Sequence, residues 1–218
     1  MKSSIRSLII FFLVILGSGG LLAQEESEEK TFQFTTRAFG NDYFDGIYFK
    51  DAEGELALLD FSPYDRIGIY HLPEGTKEVE FVRLVAEGLA KEREETIAVA
   101  NLEGIESRAF IVFVAKRDNR RNLPYTIHVA DESPGKCEAV KLRFLNLSGA
   151  SLLARVWDET YFLEYGFGGD IQFDPKNIEE GRFQFAVRTS DAWKIVFSSG
   201  FRAHPDVGTL AILKPPAQ

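Results

Sequence analysis

The chain is predicted to be all-β, folded as two tandem antiparallel β-sandwich modules with minor helix. Three observations carry that prediction. Apolar and polar residues alternate with period two along most of the sequence, which puts apolar side chains on one face of a strand. Turn-forming clusters break the alternation every 8 to 12 residues or so, the spacing of sandwiches and barrels. Nineteen Phe residues against two Trp supply large apolar faces for sheets to bury against each other.

The first 23 residues have a different character. Lys2 and Arg6 precede an unbroken apolar run from Leu8 to Leu16, then Gly17-Ser18-Gly19-Gly20 and a candidate cut after Ala23. A positive start, a short apolar core and small residues are the pattern of a secretory signal peptide. The core is shorter than the 20 or so apolar residues of a membrane span, and no other segment approaches that length. Residues 24–30 (Q-E-E-S-E-E-K) form a polar leader.

Alternation begins at Thr31, with Phe32 and Phe34 against Gln33 and Thr35. Short strands are predicted at 46–50, 56–60, 67–72, 79–84, 96–101, 108–115 and 125–130. The run A-F-I-V-F-V-A at 109–115 has no polar break, as expected of a central strand buried on both faces. A second series follows Ser133-Pro134-Gly135: strands around Val140–Phe144, then 152–156, 160–165, 170–173, 183–187, 193–197 and 209–213. Turns are expected at 51–54, 73–75, 134–135, 148–149 and 166–169. Residues 84–95 are ambiguous. Val85 and Leu89 have helical spacing, whereas Gly88 disfavours a helix. One helical turn is expected over 174–181, from Asp174-Pro175 to Gly181.

These elements divide into a first module over 31–133 and a second over 136–218. Each has about seven strands, the number in an immunoglobulin-like sandwich, although the Cys…Trp…Cys signature is missing. No residue-level repeat is visible between the halves.

Composition narrows the function classes. The net charge is −8, and removing the two cations Lys2 and Arg6 leaves −10 on a 195-residue mature chain. A net acidic surface without a basic run argues against nucleic acid as a partner. The single cysteine, Cys137, excludes an internal disulfide. A secreted fold without bridges rests on its hydrophobic core, which favours bacterial export to the periplasm or exterior. Cys137 itself reads as a strand-edge side chain after the Pro134-Gly135 turn, in competition with a reactive thiol or an intermolecular bridge.

No motif demands catalysis. His71, His128 and His204 are scattered without metal-ligand spacing, and His128 alternates outward from Ile127 and Val129 toward solvent. No G-x-S-x-G elbow occurs, and a Cys137–His dyad has no family-like flanks. Asp42, Asp45, Asp158, Glu159 and Glu164 lie beside aromatics, but so many carboxylates read more simply as turn and surface charge than as a glycosidase pair. Residues 41–46 and 174–181 carry oxygen ligands without fitting a calcium loop; turn residues explain both. No cofactor or metal is predicted.

Two aromatic clusters remain. Tyr43, Phe44, Tyr48 and Phe49 form one, and Trp157, Tyr161, Phe162, Tyr165 and Phe167 the other. Core packing and cross-strand pairing account for them best. Alternation also sends some rings outward, which makes Trp157, Tyr161 and Tyr165 the candidate ligand-binding residues for a sugar or a protein partner. Asn146-Leu147-Ser148 matches a glycosylation acceptor and otherwise marks a strand-to-turn transition.

The stretches V-K-L-R-F-L-N-L-S-G-A-S-L-L-A-R-V-W (140–157), W-K-I-V-F-S-S-G-F (193–201) and G-T-L-A-I-L-K-P-P (208–216) resemble the C-terminal half of uncharacterised exported bacterial β-sandwich proteins. The resemblance implies fold and compartment, and no activity. The expected role is non-catalytic partner binding or structural support. A carbohydrate-binding module using exposed Trp and Tyr is the first alternative, and a hydrolase the second.

Overall fold

A computed structural model describes residues 31–39, 44–62, 66–87, 91–116, 123–136, 141–172, 181–201 and 209–214. The signal-like segment, the leader, Cys137, His204 and the expected helical turn before Gly181 lie outside them. The described chain is all-β, with fifteen strands and no helix. No helix among the described residues is therefore long and apolar enough to cross a membrane.

The strands are β1 (Phe32–Phe39), β2 (Tyr48–Lys50), β3 (Leu56–Leu58), β4 (Ile67–Leu72), β5 (Glu78–Ala86), β6 (Glu92–Asn101), β7 (Arg108–Ala115) and β8 (Tyr125–Asp131). They continue as β9 (Lys141–Asn146), β10 (Leu152–Val156), β11 (Glu159–Leu163), β12 (Gly166–Gln172), β13 (Gly181–Arg188), β14 (Trp193–Phe201) and β15 (Thr209–Leu213). Sheet β4-β1-β7-β8 faces sheet β3-β2-β5-β6, and sheet β12-β9-β15 faces sheet β11-β10-β13-β14. Strands pair within the first eight or within the last seven, and no pairing crosses between the two sets.

Each sandwich has its own core. Phe32, Phe34, Ile111 and Phe113 from one sheet meet Phe49, Phe81, Ile97 and Ala98 from the other in the first. Leu142, Phe144 and Ile171 meet Leu152, Ala154, Val156 and Phe185 in the second. The alternation in β1 is the reason for its burial: Phe32 and Phe34 are sealed while Gln33 and Thr35 are not. As its unbroken apolar run predicts, β7 is interior to its sheet and buried on both faces. Of the ambiguous 84–95 stretch, residues 84–86 end β5 and 92–95 begin β6, which pair antiparallel, while Gly88 and Leu89 lie outside the described residues. Cross-strand pairing runs as far as Ala86 opposite Glu92.

One turn expectation is overturned. Gly166–Gly169 do not form a turn; they belong to β12, which carries a bulge between Phe167 and Asp170 in its pairing with β9. Glycine is needed there for room. A Cβ on Gly168 would come within 2.8 Å of the Leu163 side chain.

The two sandwiches share one topology. β1 lies between an antiparallel β4 and a parallel β7, and β9 lies between an antiparallel β12 and a parallel β15. Strand order in the facing sheets, β3-β2-β5-β6 and β11-β10-β13-β14, also corresponds. The register corresponds at single residues. Phe34 stands opposite Ala109, and Phe144 opposite Ala211. In β5–β6, Phe81 pairs with Ala98 and Val82 with Thr96, so Ile97 is the extra, bulged residue. In β13–β14, Phe185 pairs with Phe197 and Ala186 with Ile195, so Val196 is the extra residue. The repeat is one of architecture and bulge position, which the sequence comparison of the halves does not reveal.

β8 breaks the correspondence. It pairs with β7, extends the first sandwich by one strand and packs against β6 across the sheets. No described strand holds the same place beside β15. The outward side of β8 helps to build a seam between the sandwiches. There Phe39, Phe110, Val112 and Ala130 pack with Leu145, Leu147 and Ile212. Arg143 Nη1 donates to the Asp131 carbonyl at 2.9 Å, at the end of β8, and the same guanidinium grips Asp170 through Nε and Nη2 at 2.6 and 2.7 Å.

Candidate functional site

The three rings singled out by sequence do not form one platform. Trp157 sits in the tight β10–β11 turn with a φ of 51°, the one non-glycine residue in the left-handed region among those described. Its indole packs on the second core and tilts against Phe201 at 5.6 Å. Tyr161, on β11, also packs on that core. Burial, and the Glu159 carboxylate to which its hydroxyl donates a hydrogen bond, push the Tyr161 pKa up to about 12. Tyr165 follows β11, half-exposed, and meets the His128 ring edge to face at 5.1 Å. Two of the rings therefore serve the margin of the core and the third the seam.

His128 corrects another expectation. Rather than facing solvent, it is half-buried in the seam beside Tyr165 and Gly166. Burial lowers its pKa, and its Nε2 is buried without a hydrogen-bond partner among the described residues. The alternation from Ile127 and Val129 is correct, but the outer face of β8 is covered by the second sandwich. Among the other candidates, His71 bonds Thr31 Oγ1 at 3.1 Å. Asp45, Asp158, Glu159 and Glu164 are exposed, with Asp158 paired to Arg155 at 3.2 Å. Asp42 and Tyr43 lie outside the described residues, as do residues 41–43 and 174–180 of the two calcium-like stretches. No group of three His, Cys, Asp or Glu side chains suited to a metal occurs among the described residues. Asn146 is fully buried, and its Nδ2 donates to the carbonyls of Ala150 and Leu163 at 2.8 and 3.2 Å. It is a brace for the strand-to-turn transition, inaccessible to modification in the fold.

The conspicuous surface lies on β14. Trp193, Ile195, Val196 and Phe197 are each 39–57% exposed, although every one is a large apolar residue. Pairing places Ile195 in the row Phe162–Leu153–Ala186–Ile195 on the outer face of the sheet. Trp193 meets Phe162 there edge to face, with centroids 6.3 Å apart and an interplanar angle of 83°. Val196 and Phe197 turn the other way, at the open side of the sandwich. With Phe185, Val187, Leu213 and Lys214 they line an apolar groove of about 480 Å³ between the edge strands β14 and β15. A contiguous apolar surface of this kind marks an interaction site more often than chance exposure.

By sequence alone Trp193, Ile195 and Phe197 belong to an ordinary alternating strand. The signal that reading passes over is the consecutive apolar triplet at 195–197, which makes both faces of an edge strand apolar.

A second depression, about 340 Å³, lies on the first sandwich among Lys50, Thr76, Glu78, Glu80, Val82 and Glu94. Its charges are partly satisfied within the fold, Lys50 with Glu94 at 3.4 Å and Thr96 Oγ1 with Glu80 at 3.3 Å. Neither a known protein-family model nor a curated protein matches this chain.

Proposed function

We propose that this is an exported, non-catalytic protein that binds a protein partner through the β14 side of its second sandwich. The observation that carries the reading is the apolar surface of β14, four large side chains held open on one edge strand together with Phe162. Burying such a surface against a partner is favourable by about 25 cal/mol per Å², and aromatic residues are the usual anchors of such interfaces. Export is supported by the charged start, apolar run and small residues of 1–23, and by a fold that carries one cysteine. The edge-to-face setting of Phe162 and Trp193 offers a knobbed surface instead of coplanar rings, which favours a protein over a sugar stacked on flat aromatics.

The test is site-specific photocrosslinking in cells that make the protein. A benzoylphenylalanine at Ile195 should give a discrete adduct band that is lost when W193S and F162S are added. The same probe at the exposed Leu58 of the first sandwich should give none. No adduct at Ile195, or equal labelling at both sites, would refute the assignment.

A further inference from the structure

The correspondence between the two sandwiches identifies what the open side of the second one lacks. In the first, the bulged Ile97 and its neighbour Ala98 are 4% and 1% exposed. Their counterparts Val196 and Phe197 hold the same register positions and are 54% and 51% exposed. β8 makes the difference. It pairs with β7, lies against β6 and sends Tyr125, Ile127 and Val129 into the first core beside Ile97 and Ala98. Arg83 Nη2 also donates to the Tyr125 hydroxyl at 2.6 Å, tying β5 to β8. In the second sandwich the corresponding slot is the groove between β14 and β15, and no described strand pairs with the outer edge of β15.

We infer that this groove is a strand-acceptor site, which takes one extended segment of a partner protein as an eighth strand antiparallel to β15. The inference deepens the partner-binding reading and rests on it. Main-chain hydrogen bonds along an open edge supply affinity for such a strand, and alternate side chains supply specificity.

The register with β7 and β8 gives the chemistry of the occupant. Because Phe34–Ala109 matches Phe144–Ala211, positions 111 and 112 match Leu213 and Lys214. Residues of the incoming strand opposite Leu213 and Ala211 face the groove, as Val129 and Asp131 stand opposite Ile111 and Ala109. The groove floor there is Phe185 and Val187, so these positions call for apolar side chains. The residue opposite Lys214 takes the place of His128, which pairs with Val112. Lys214 is the one charged group among the groove's lining residues, and its ammonium lies over the Phe39 ring at 4.7 Å, on the seam face of β15 with Leu210 and Ile212. A cation with no carboxylate among the lining residues makes an acidic residue the complement opposite Lys214. Lys214 on this edge also works against a second copy as occupant, since charged residues on an exposed edge deter self-pairing.

The probe is a synthetic peptide of residues 123–133 carrying H128E, with D131V to make the position opposite Ala211 apolar, added to the full mature protein. Binding should slow amide hydrogen exchange along 209–214 and leave β7 unchanged. F197E, a change at a half-exposed residue, should weaken binding at least tenfold. K214E should reverse charge preference, so that a peptide with H128K then binds better than the H128E peptide. A second protein, in which residues 116–131 are duplicated after Lys214, should fill the slot internally, protect β15 and abolish peptide binding. Peptide binding without protection of β15, or an unchanged preference in K214E, would overturn the strand-acceptor assignment. So would a concentration-dependent dimer that F197E dissolves, because the occupant would then be a second copy. If crosslinking from Ile195 persists while the peptide fails, the partner stands and the strand mode falls. If both fail, the partner reading falls with it.

Discussion

Phe81 and Phe185 occupy the same position in the two sandwiches, yet their truncation to alanine should differ in cost. Phe81 is fully buried, with Phe113 edge on at 4.7 Å and Phe34 at 6.3 Å. The neighbouring Ile97 and Ala98 are sealed. Phe→Ala in such a site costs about 3–5 kcal/mol, the sum of lost transfer energy and of the cavity left behind. The phenyl ring leaves on the order of 100 Å³, and at ~24 cal/mol per Å³ the cavity contributes about 2.4 kcal/mol of that. Phe185 is nearly as buried, at 3%, and packs on Phe144 at 5.5 Å and Phe183 at 5.3 Å. One of its walls, however, is the open groove, and the half-exposed Phe197 lies 6.2 Å away with room to close in. Most of the cavity contribution should therefore vanish, so F185A is expected to cost about 1–2 kcal/mol less than F81A. Urea unfolding followed by far-ultraviolet circular dichroism measures both variants. Both tryptophans, Trp157 and Trp193, lie in the second sandwich, so their fluorescence isolates the F185A transition. An F185A cost equal to or above that of F81A would mean that the groove side of the second core is closed, and the reasoning would fail.

Other perturbations test the seam and the tight places. His128 has a lowered pKa from burial, so the unfolded chain binds its proton more readily than the folded one below pH 6.5. Stability from this group is complete above about pH 6.5, declines as pH falls below that, and levels off once the folded form protonates too. H128L should flatten this part of a stability–pH profile measured by urea titration. G181A should destabilise by about 1–3 kcal/mol, because the new Cβ would lie 2.2 Å from the Phe201 ring, itself held by Trp157 and Phe183; thermal unfolding checks it. R143A removes the fork on Asp170 and the bond to Asp131 and should cost about 2 kcal/mol. R143K should recover less than half of that, since an ammonium cannot bond a carboxylate as a fork. In an ultraviolet pH titration, E159Q should bring the Tyr161 phenol down from about 12, while Tyr165 stays where burial holds it.

The sequence makes the strands legible because their signal is local. Period-two burial in β1 and the unbroken run in β7 need no knowledge of neighbours. Readings failed where the deciding contact is distant in the chain. The polarity of His128 and its place on an alternating strand pointed to water, but a face of the second sandwich covers it. Gly166, Gly168 and Gly169 look like a turn because local composition cannot tell a turn from a strand that itself needs glycine, Gly166 for a φ of +104° and Gly168 for space beside Leu163. The architectural repeat escaped detection because the matched positions hold different residues, Ala98 against Phe197 and Arg83 against Val187. The candidate rings were grouped by closeness in sequence, whereas the fold turns Trp157 and Tyr161 to the core and Tyr165 to the seam.

The differences at those matched positions are themselves consistent with an open slot. Where β8 is present, the edge residue opposite the core phenylalanine is the small Ala98, which leaves room for Tyr125, and Arg83 reaches up to the Tyr125 hydroxyl. Where no described strand takes that place, the same positions hold Phe197 and Val187, larger and smaller respectively, and neither carries a polar group. Phe197 stacks on Phe183 at 5.9 Å and shields part of the core that a strand would otherwise cover. The shielding is incomplete, since half of the Phe197 surface still meets water. An edge built solely to be closed would gain from a polar residue at 196, which points into open space. Val196 instead keeps the groove apolar, and its one charged lining residue, Lys214, sits at the border with its ammonium over Phe39. Apolar floor, open main-chain edge and cationic border are the three elements that an incoming acidic-apolar strand can use together, and a solvent-facing edge has use for the last alone.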